Sequence, residues 1–240
     1  LATAAERILF VKCLNAGQIC TSVDHVFVPR AQVDEFAKLA AQIVPQRYPR
    51  LDSPDYTSIV DQRSFDRLVG AMDDARSRGA TLINLINDGP AHDRASRKIA
   101  PHVVLNAPWD SELLKREIFG PILPLVAYDT LDDVIARINS GPRPLALYPF
   151  SHDNARIERL LTHVMSGGVS INDALFHVGQ HDLPFGGIGD SGMGHYHGRE
   201  GFETFSKLRP IFHQARLSSV GLLAPPYGRL AERMLAFLMR

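Results

Sequence analysis

Helix-type and strand-type hydrophobic patterns alternate along this chain, and that alternation narrows the fold more than any other feature. Val33, Phe36, Ala40 and Ile43 share one helical face. Leu131, Val134, Ile135 and Ile138 recur at i, i+3, i+4 and i+7, as do Ile157, Leu160, Leu161 and Val164. Thr130, Leu131, Asp132 and Asp133 fit a capping box at the start of the second of these helices. Another helix is expected from Asp61 to Arg78, closed by Gly79. Short β-rich runs lie between the helices, at 23–28, 80–86, 102–105, 122–128, 145–150 and 168–171. Several are apolar on both faces, as buried parallel strands are. The pattern predicts βαβ units, hence an α/β fold with a parallel or mostly parallel sheet.

The end of the chain reads differently. Lys207, Leu208, Arg209, Pro210, Ile211 and Phe212 are expected as an edge strand, because Pro disfavours a central one. From Leu230 to Arg240, Leu230, Met234, Leu235, Phe237 and Leu238 share one helical side. That helix has three readings: docked on its own domain, a dimer contact, or a peripheral membrane contact.

Bulk properties remove some function classes. The 240 residues carry 26 Lys+Arg and 26 Asp+Glu, so no basic surplus is available to hold a nucleic-acid backbone. The two cysteines, Cys13 and Cys20, form no CxxC, which excludes a disulfide scaffold and a zinc-finger pattern. No stretch approaches the roughly 18 apolar residues of a spanning helix, so a membrane partner is not expected. The start, Leu1 to Arg7, lacks the basic and apolar regions of a secretory leader, and it lacks Met. We expect the chain to be a piece of a longer protein working in a reducing, cytoplasmic setting.

Cys20 carries the chemistry. It ends Asn15-Ala16-Gly17-Gln18-Ile19-Cys20, a Gly-containing loop between an apolar helical stretch and the run 23–28. A thiol at a helix-to-strand turn can be fixed in place and still be reached by a small molecule. Taken alone, the same residue also reads as a buried structural cysteine.

Other motifs have competing readings. Gly187-Ile188-Gly189-Asp190-Ser191-Gly192 matches GxGxxG, but Leu183-Pro184-Phe185-Gly186 precedes it where a dinucleotide fingerprint needs a strand. A tight loop lining a cavity fits better, since Gly lets main chain approach closely. Glu117, in Arg116-Glu117-Ile118-Phe119-Gly120-Pro121, reads as a solvated charge at a turn with Phe119 as core. His195 and His197 lack a carboxylate or Cys at ligand spacing, so no metal is expected.

Together these segments resemble the aldehyde dehydrogenase superfamily, over essentially the whole chain and in the family's order. Residues 15–20 are similar to its cysteine signature, with Cys20 in the nucleophile's place. Glu117-Ile118-Phe119-Gly120-Pro121 is similar to its cofactor motif, and Asn172 falls where the family has an Asn after a short strand. Pro184 to Gly192 resembles its glycine-rich segment. Arg143-Pro144-Leu145-Ala146-Leu147-Tyr148 and Gly192-Met193-Gly194-His195-Tyr196-His197-Gly198 are closest to the class 3-like branch, which takes fatty, aromatic and phenylpropanoid aldehydes such as coniferyl aldehyde.

The resemblance implies a fold, a mechanism and partners. The fold would be a three-layer α/β catalytic domain over 1–206, with an oligomerisation strand and tail over 207–240. Cys20 would attack an aldehyde, its own N–H and an Asn holding the oxyanion. The substrate hydrogen would pass to NAD or NADP, and water activated by a Glu would release the acid. Glu117 would bind the nicotinamide ribose and Phe119 would pack near the nicotinamide. Asn172, Phe185, Gly186, Gly187 and His197 would shape the substrate pocket. The partners would be a small aldehyde, the N-terminal cofactor-binding part of the same enzyme, and a second copy in a homodimer.

The family's general-base motif, Glu-Leu-Gly-Gly, is not in the chain, and neither are the oxyanion Asn and most of the cofactor domain. The chain alone is therefore expected to be inactive as a dehydrogenase. Residues 84–100 depart from the relatives as a longer loop. Coniferyl-type aldehydes are the expected substrates, with aliphatic aldehydes as the alternative. Two other classes stay open: a hydrolase or acyltransferase pairing Cys20 with a histidine, and an interaction module with an inert Cys20.

Overall fold

The computed structural model describes residues 1–86, 89–218, 221 and 224–239. Two compact units result, Leu1–Thr204 and Phe205–Arg240.

The first unit is built on a four-stranded sheet in the order β1-β6-β5-β2. Strand β1 is Val26–Pro29, β2 Thr81–Asn84, β5 His102–Leu105 and β6 Ile122–Tyr128. The β1–β6 and β6–β5 pairs are parallel and β2 pairs β5 antiparallel, so the sheet is mostly parallel as the hydrophobic runs predict. Two short ribbons stand apart. One is β3 (His92–Asp93) with β4 (Lys98–Ile99), antiparallel, and the other β7 (Ala146–Leu147) with β8 (Gly168–Val169), parallel. The segment expected as a long loop, 84–100, thus contains the β3–β4 hairpin; its residues 87 and 88 lie outside the described residues.

Alternation along β5 and β6 separates two cores. Val104 and Ile122 pack with Phe65, Leu68, Met72 and Ala75 of α3 (Gln62–Ser77). Val103 and Leu123, directly paired, pack with Ile8 and Leu9 of α1 (Ala2–Cys13) and Phe36 and Ala40 of α2 (Val33–Arg47). Successive strand side chains point to opposite faces, so each face receives its own helical layer. The result is a three-layer α/β/α stack.

Local chemistry sets the helix ends. Asp61 Oδ1 accepts the Ser64 N–H at 2.7 Å to cap α3, and Gly79 at φ +94° closes it. The short α4 (Glu112–Lys115) precedes β6. Thr130 and Asp133 form the expected capping box on α5 (Leu131–Asn139). Asp153 caps α6 (Asn154–His163) through the Ala155 and Arg156 N–H groups. Helix α7 spans Gly198–Thr204.

In the second unit, α8 (Arg229–Leu238) is the helix expected from Leu230 onward; Arg240 lies outside the described residues. Residues 207–212 form no strand, contrary to the expectation. A strand exists only through a ladder partner, Pro210 withdraws one donor, and no described segment of the unit pairs with it.

Candidate active site

Helix α1 ends at Cys13, and the backbone then enters the left-handed region three times running: Asn15 (φ +50°), Ala16 (φ +51°) and Gly17 (φ +73°). Only the glycine takes that conformation without cost. Gln18 holds the turn. Its Nε2 donates to the carbonyls of Asn15 (3.0 Å) and Ser58 (3.1 Å), and its Oε1 accepts the Val60 N–H (2.8 Å).

The next turn presents the thiol. The Ser22 N–H donates to the Ile19 carbonyl at 2.8 Å, which puts Cys20 and Thr21 at the corner. Thr21 is buried, and its carbonyl accepts the Tyr148 hydroxyl at 2.8 Å. Cys20 itself is exposed, whereas Cys13 is buried. Burial pushes the Cys13 thiol up to about 12, which leaves Cys13 protonated and unreactive at neutral pH.

The 117–121 segment is fastened to this loop. A side-chain carbon placed on Gly17 would lie 2.3 Å from the Gly120 carbonyl oxygen, so the two backbones touch. Asp24 Oδ1 accepts the Ile118 N–H at 2.8 Å, and Arg67 donates to the Ile118 carbonyl at 2.6 Å. Ile118 is core, while Phe119, read as core from its neighbours alone, is 38% exposed at φ +48°. The positive φ turns its ring out of the core, and Glu117 is likewise exposed.

Three charges share this region. Burial lowers Lys12 to about 8, against the opposing pull of Asp24, Cys13 and Glu117. Glu117 is pushed up by partial burial and by Asp24, with Arg67, Lys12 and Arg116 opposing. Asp24, despite burial, is held below the ordinary carboxylate range by the hydrogen bond from His25, by Lys12 and by the Ile118 N–H. Neither Lys12 nor Asp24 is singled out by the sequence reading. The available signal is a lysine inside an apolar helix, at the position just before Cys13.

The glycine-rich segment closes on itself. Phe185 and Tyr196 exchange backbone hydrogen bonds at 2.8 and 2.9 Å. A Cβ on Gly186 would meet the Gly194 oxygen at 2.0 Å, and one on Gly187 the Ser191 oxygen at 2.0 Å. Close backbone approach therefore requires these glycines. Gly189–Ser191 is a 3-10 turn, not the strand-to-helix junction of a dinucleotide fingerprint. His197, at φ +78°, packs on Tyr196, His181 and Phe185, and its buried Nδ1 has no hydrogen-bond partner among the described residues.

Asn172 serves the scaffold here. Its side chain accepts the Ser151 N–H and donates to the Ser151 carbonyl, both at 2.8 Å, while Arg7 donates to its backbone carbonyl. Further along, Phe176 stacks on Phe10 of α1, and both rings are exposed. The histidine side chains that form hydrogen bonds among the described residues reach Asp24, Ala100, Arg159 and Ser170. No three metal-ligating side chains converge among the described residues.

The arrangement pairs an accessible thiol with a carboxylate and a phenyl ring on an adjoining turn. A carboxylate accepts from a diol and an exposed ring packs a flat heterocycle, so Glu117 and Phe119 are residue types that could hold a polar aromatic cofactor.

Comparison with known proteins gives the same direction. The sequence pattern of the aldehyde dehydrogenase family matches residues 1–211. A Pseudomonas aeruginosa protein described as a probable coniferyl aldehyde dehydrogenase is 47% identical over 232 residues, covering 96% of this chain and 48% of that protein. A coniferyl aldehyde dehydrogenase of a Pseudomonas species is 42% identical over 243 residues, covering 100% of this chain and 50% of its own length. Among solved structures, a substrate-bound Staphylococcus aureus AldH superposes with a TM-score of 0.83 at 36% identity, over 98% of this chain and 50% of that one. The chain spans about half the length of the curated relatives it matches.

Proposed function

The chain belongs to the aldehyde dehydrogenase family, and from that footing we propose that it forms the cysteine-bearing catalytic part of an enzyme that oxidises an aldehyde to its carboxylic acid. The observation that carries this reading is the exposed Cys20 thiol on a turn fixed through Gln18 and Tyr148, with the 117–121 segment packed against the same loop at Gly17.

The Cys20 thiolate attacks the carbonyl carbon. The S–C bond forms, and the carbonyl electron pair moves to oxygen, which the Cys20 N–H stabilises. Aldehyde dehydrogenases use NAD or NADP; when bound, that group takes the hydrogen and electron pair the substrate carbon gives up. Glu117 would hold the ribose and Phe119 would support the ring. Cys20 then carries a thioester. Water adds to it, the C–S bond breaks and the thiolate returns. The base for that step and the second oxyanion donor belong to the part of the relatives' length that this chain does not span.

Aromatic aldehydes of the coniferyl type are the proposed substrates. The two Pseudomonas relatives support this class. Medium- or long-chain aliphatic aldehydes are the alternative. The reading extends to a homodimer in which 207–212 becomes a strand by pairing with a second copy, and to a cytoplasmic setting. No helix among the described residues is long and apolar enough to cross a membrane. Among the described residues no hydrogen bond joins Cys20 to a histidine, so nothing there favours the hydrolase reading.

The test joins this chain to the other half of a relative and follows cofactor reduction with coniferyl aldehyde and hexanal. Turnover that disappears in Cys20→Ser, with coniferyl aldehyde preferred, is expected. Turnover that survives Cys20→Ser refutes the mechanism, and robust turnover by the chain alone refutes the need for the other half.

A further inference from the structure

Tyr148 lies in the segment 143–148, which so far has no chemical role. Its hydroxyl donates to the Thr21 carbonyl at 2.8 Å, and the Leu175 N–H acts on the same oxygen, opposing the effect of burial on its acidity. Leu175 sits at φ +73°, ψ −46°, and the Phe176 N–H reaches back to the Ala174 carbonyl at 2.9 Å. That is a γ-turn of the rare, strained hand. Strain of this kind persists only where surrounding bonds hold it, and it concentrates at functional sites.

The route from Tyr148 to the thiol runs through two peptide groups. In a planar trans amide the C=O and N–H point in opposite directions. Fixing the Thr21 carbonyl therefore aims the Ser22 N–H, which donates to the Ile19 carbonyl at 2.8 Å. The Ile19 carbonyl shares its amide plane with the Cys20 N–H. Fixing that carbonyl therefore aims the Cys20 N–H in turn. Among the described residues none accepts a hydrogen bond from the Cys20 N–H, so it is a free donor beside the exposed thiol. Successive hydrogen bonds through amides polarise one another, which strengthens the last donor.

We infer that Tyr148 is a positioning residue whose hydroxyl, through the Thr21–Ser22 and Ile19–Cys20 peptides, orients the Cys20 N–H toward the oxygen of a carbonyl compound under attack. The inference rests on the reading of Cys20 as nucleophile. Tyr148 touches no reacting atom. Burial holds its hydroxyl well above the ordinary tyrosine range, so it stays a proton donor throughout neutral pH.

Two reactions of the 240-residue chain separate orientation from exposure. With 4-nitrophenyl acetate, the Cys20 sulfur bonds to the acetyl carbon and nitrophenolate leaves with its electron pair. An oxyanion forms on the way and needs the N–H. With iodoacetamide, sulfur displaces iodide at a saturated carbon and no oxyanion forms. In Tyr148→Phe, acylation of Cys20 is expected to slow by about fivefold to tenfold while alkylation changes by less than about twofold. Equal shifts in both rates, or none in either, overturn the inference, because a merely structural tyrosine moves both together. Cys20→Ser keeps the two levels apart. Acylation that persists without the thiol defeats the nucleophile reading, whereas silence there with unchanged rates in Tyr148→Phe defeats only the positioning role. As a second measurement, 15N-cysteine labelling gives amide signals for Cys13 and Cys20. Only the Cys20 signal is expected to move in Tyr148→Phe, and an unmoved signal overturns the chain of hydrogen bonds.

Discussion

Gly17 and Gly120 meet backbone to backbone, so closely that a side-chain carbon on Gly17 would lie 2.3 Å from the Gly120 carbonyl oxygen and 3.1 Å from that of Lys12. Gly120 is closed in from the other side, where a Cβ would stand 2.7 Å from both Leu68 methyls. This contact sets the spacing between the cysteine loop and the 117–121 segment. A side chain on Gly17 would have to move the 117–121 backbone, whereas one on Gly120 would have to move the buried Leu68 side chain.

Gly17→Ala is expected to lower the unfolding free energy by at least about 2 kcal/mol, since φ +73° is unfavourable for alanine and the overlapped atom is backbone. For a chain of this size the midpoint should fall by about 4–8 °C. Gly70 is the control: it lies inside α3 with nothing within 4 Å, so Gly70→Ala should stabilise by about 0.5–1 kcal/mol. Thermal unfolding of both variants checks the pair, and equal midpoints would remove the argument for close packing.

Stability should vary with alkaline pH through two neighbours, Lys12 and Cys13. Lys12 falls from 10.5 to about 8 on folding, so between those values the unfolded chain binds more protons and stability rises with pH, by up to about 3 kcal/mol. That contribution is complete above 10.5 and lost as pH falls through 8. Cys13 goes from 9.0 to about 12, so its contribution is complete below 9 and lost as pH rises toward 12. Urea unfolding followed by Trp109 fluorescence should show a rise from pH 7.5 to 9, a plateau, and then a fall. Lys12→Met should abolish the rise and Cys13→Ala should remove its share of the fall. A flat profile in the unaltered chain would contradict both.

Gln18 ties the turn before Cys20 to 58–60 by two hydrogen bonds and closes the turn on the Asn15 carbonyl by a third. Gln18→Leu keeps most of the side-chain volume and removes all three, for a loss of about 1–3 kcal/mol. Chemical denaturation measures it. A variant as stable as the parent would show that these bonds merely replace equivalent bonds to water.

Asn172→Ala loses the amide that closes on both polar groups of Ser151 and forces alanine into φ +56°. A cost of about 2–3 kcal/mol is expected. Asn172→Gly relieves the backbone strain and not the lost bonds, so it should fall between alanine and the parent. If glycine restores full stability, the Ser151 bonds contribute nothing.

Much of the fold is legible locally. The bounds of β5 and β6 coincide with their apolar runs, and Thr130 with Asp133 announces α5, because capping and alternation act within a few residues. Strands β7 and β8 fall within the expected runs 145–150 and 168–171, but their pairing, the β3–β4 ribbon and the antiparallel β2–β5 pairing are not legible, since pairing partners are chosen across the chain. Residues 207–212 read as a strand from composition and lack one in the single chain. The motifs around Cys20 and Glu117 are visible as residue types. Tyr148 sits in plain view at the end of 143–148, but its role depends on where Thr21 and Leu175 lie.

By itself, the order of residues determined the helices, the principal strands, the layered α/β plan and which thiol stands at a turn, because each is settled by forces acting over a few positions. Tertiary packing alone decided that Cys20 is open and Cys13 closed, that Gly17 bears on Gly120, and that a half-buried tyrosine reaches the Cys20 turn. Those outcomes are set where distant backbones exclude water from one another, and no short window of sequence contains both sides of such a contact.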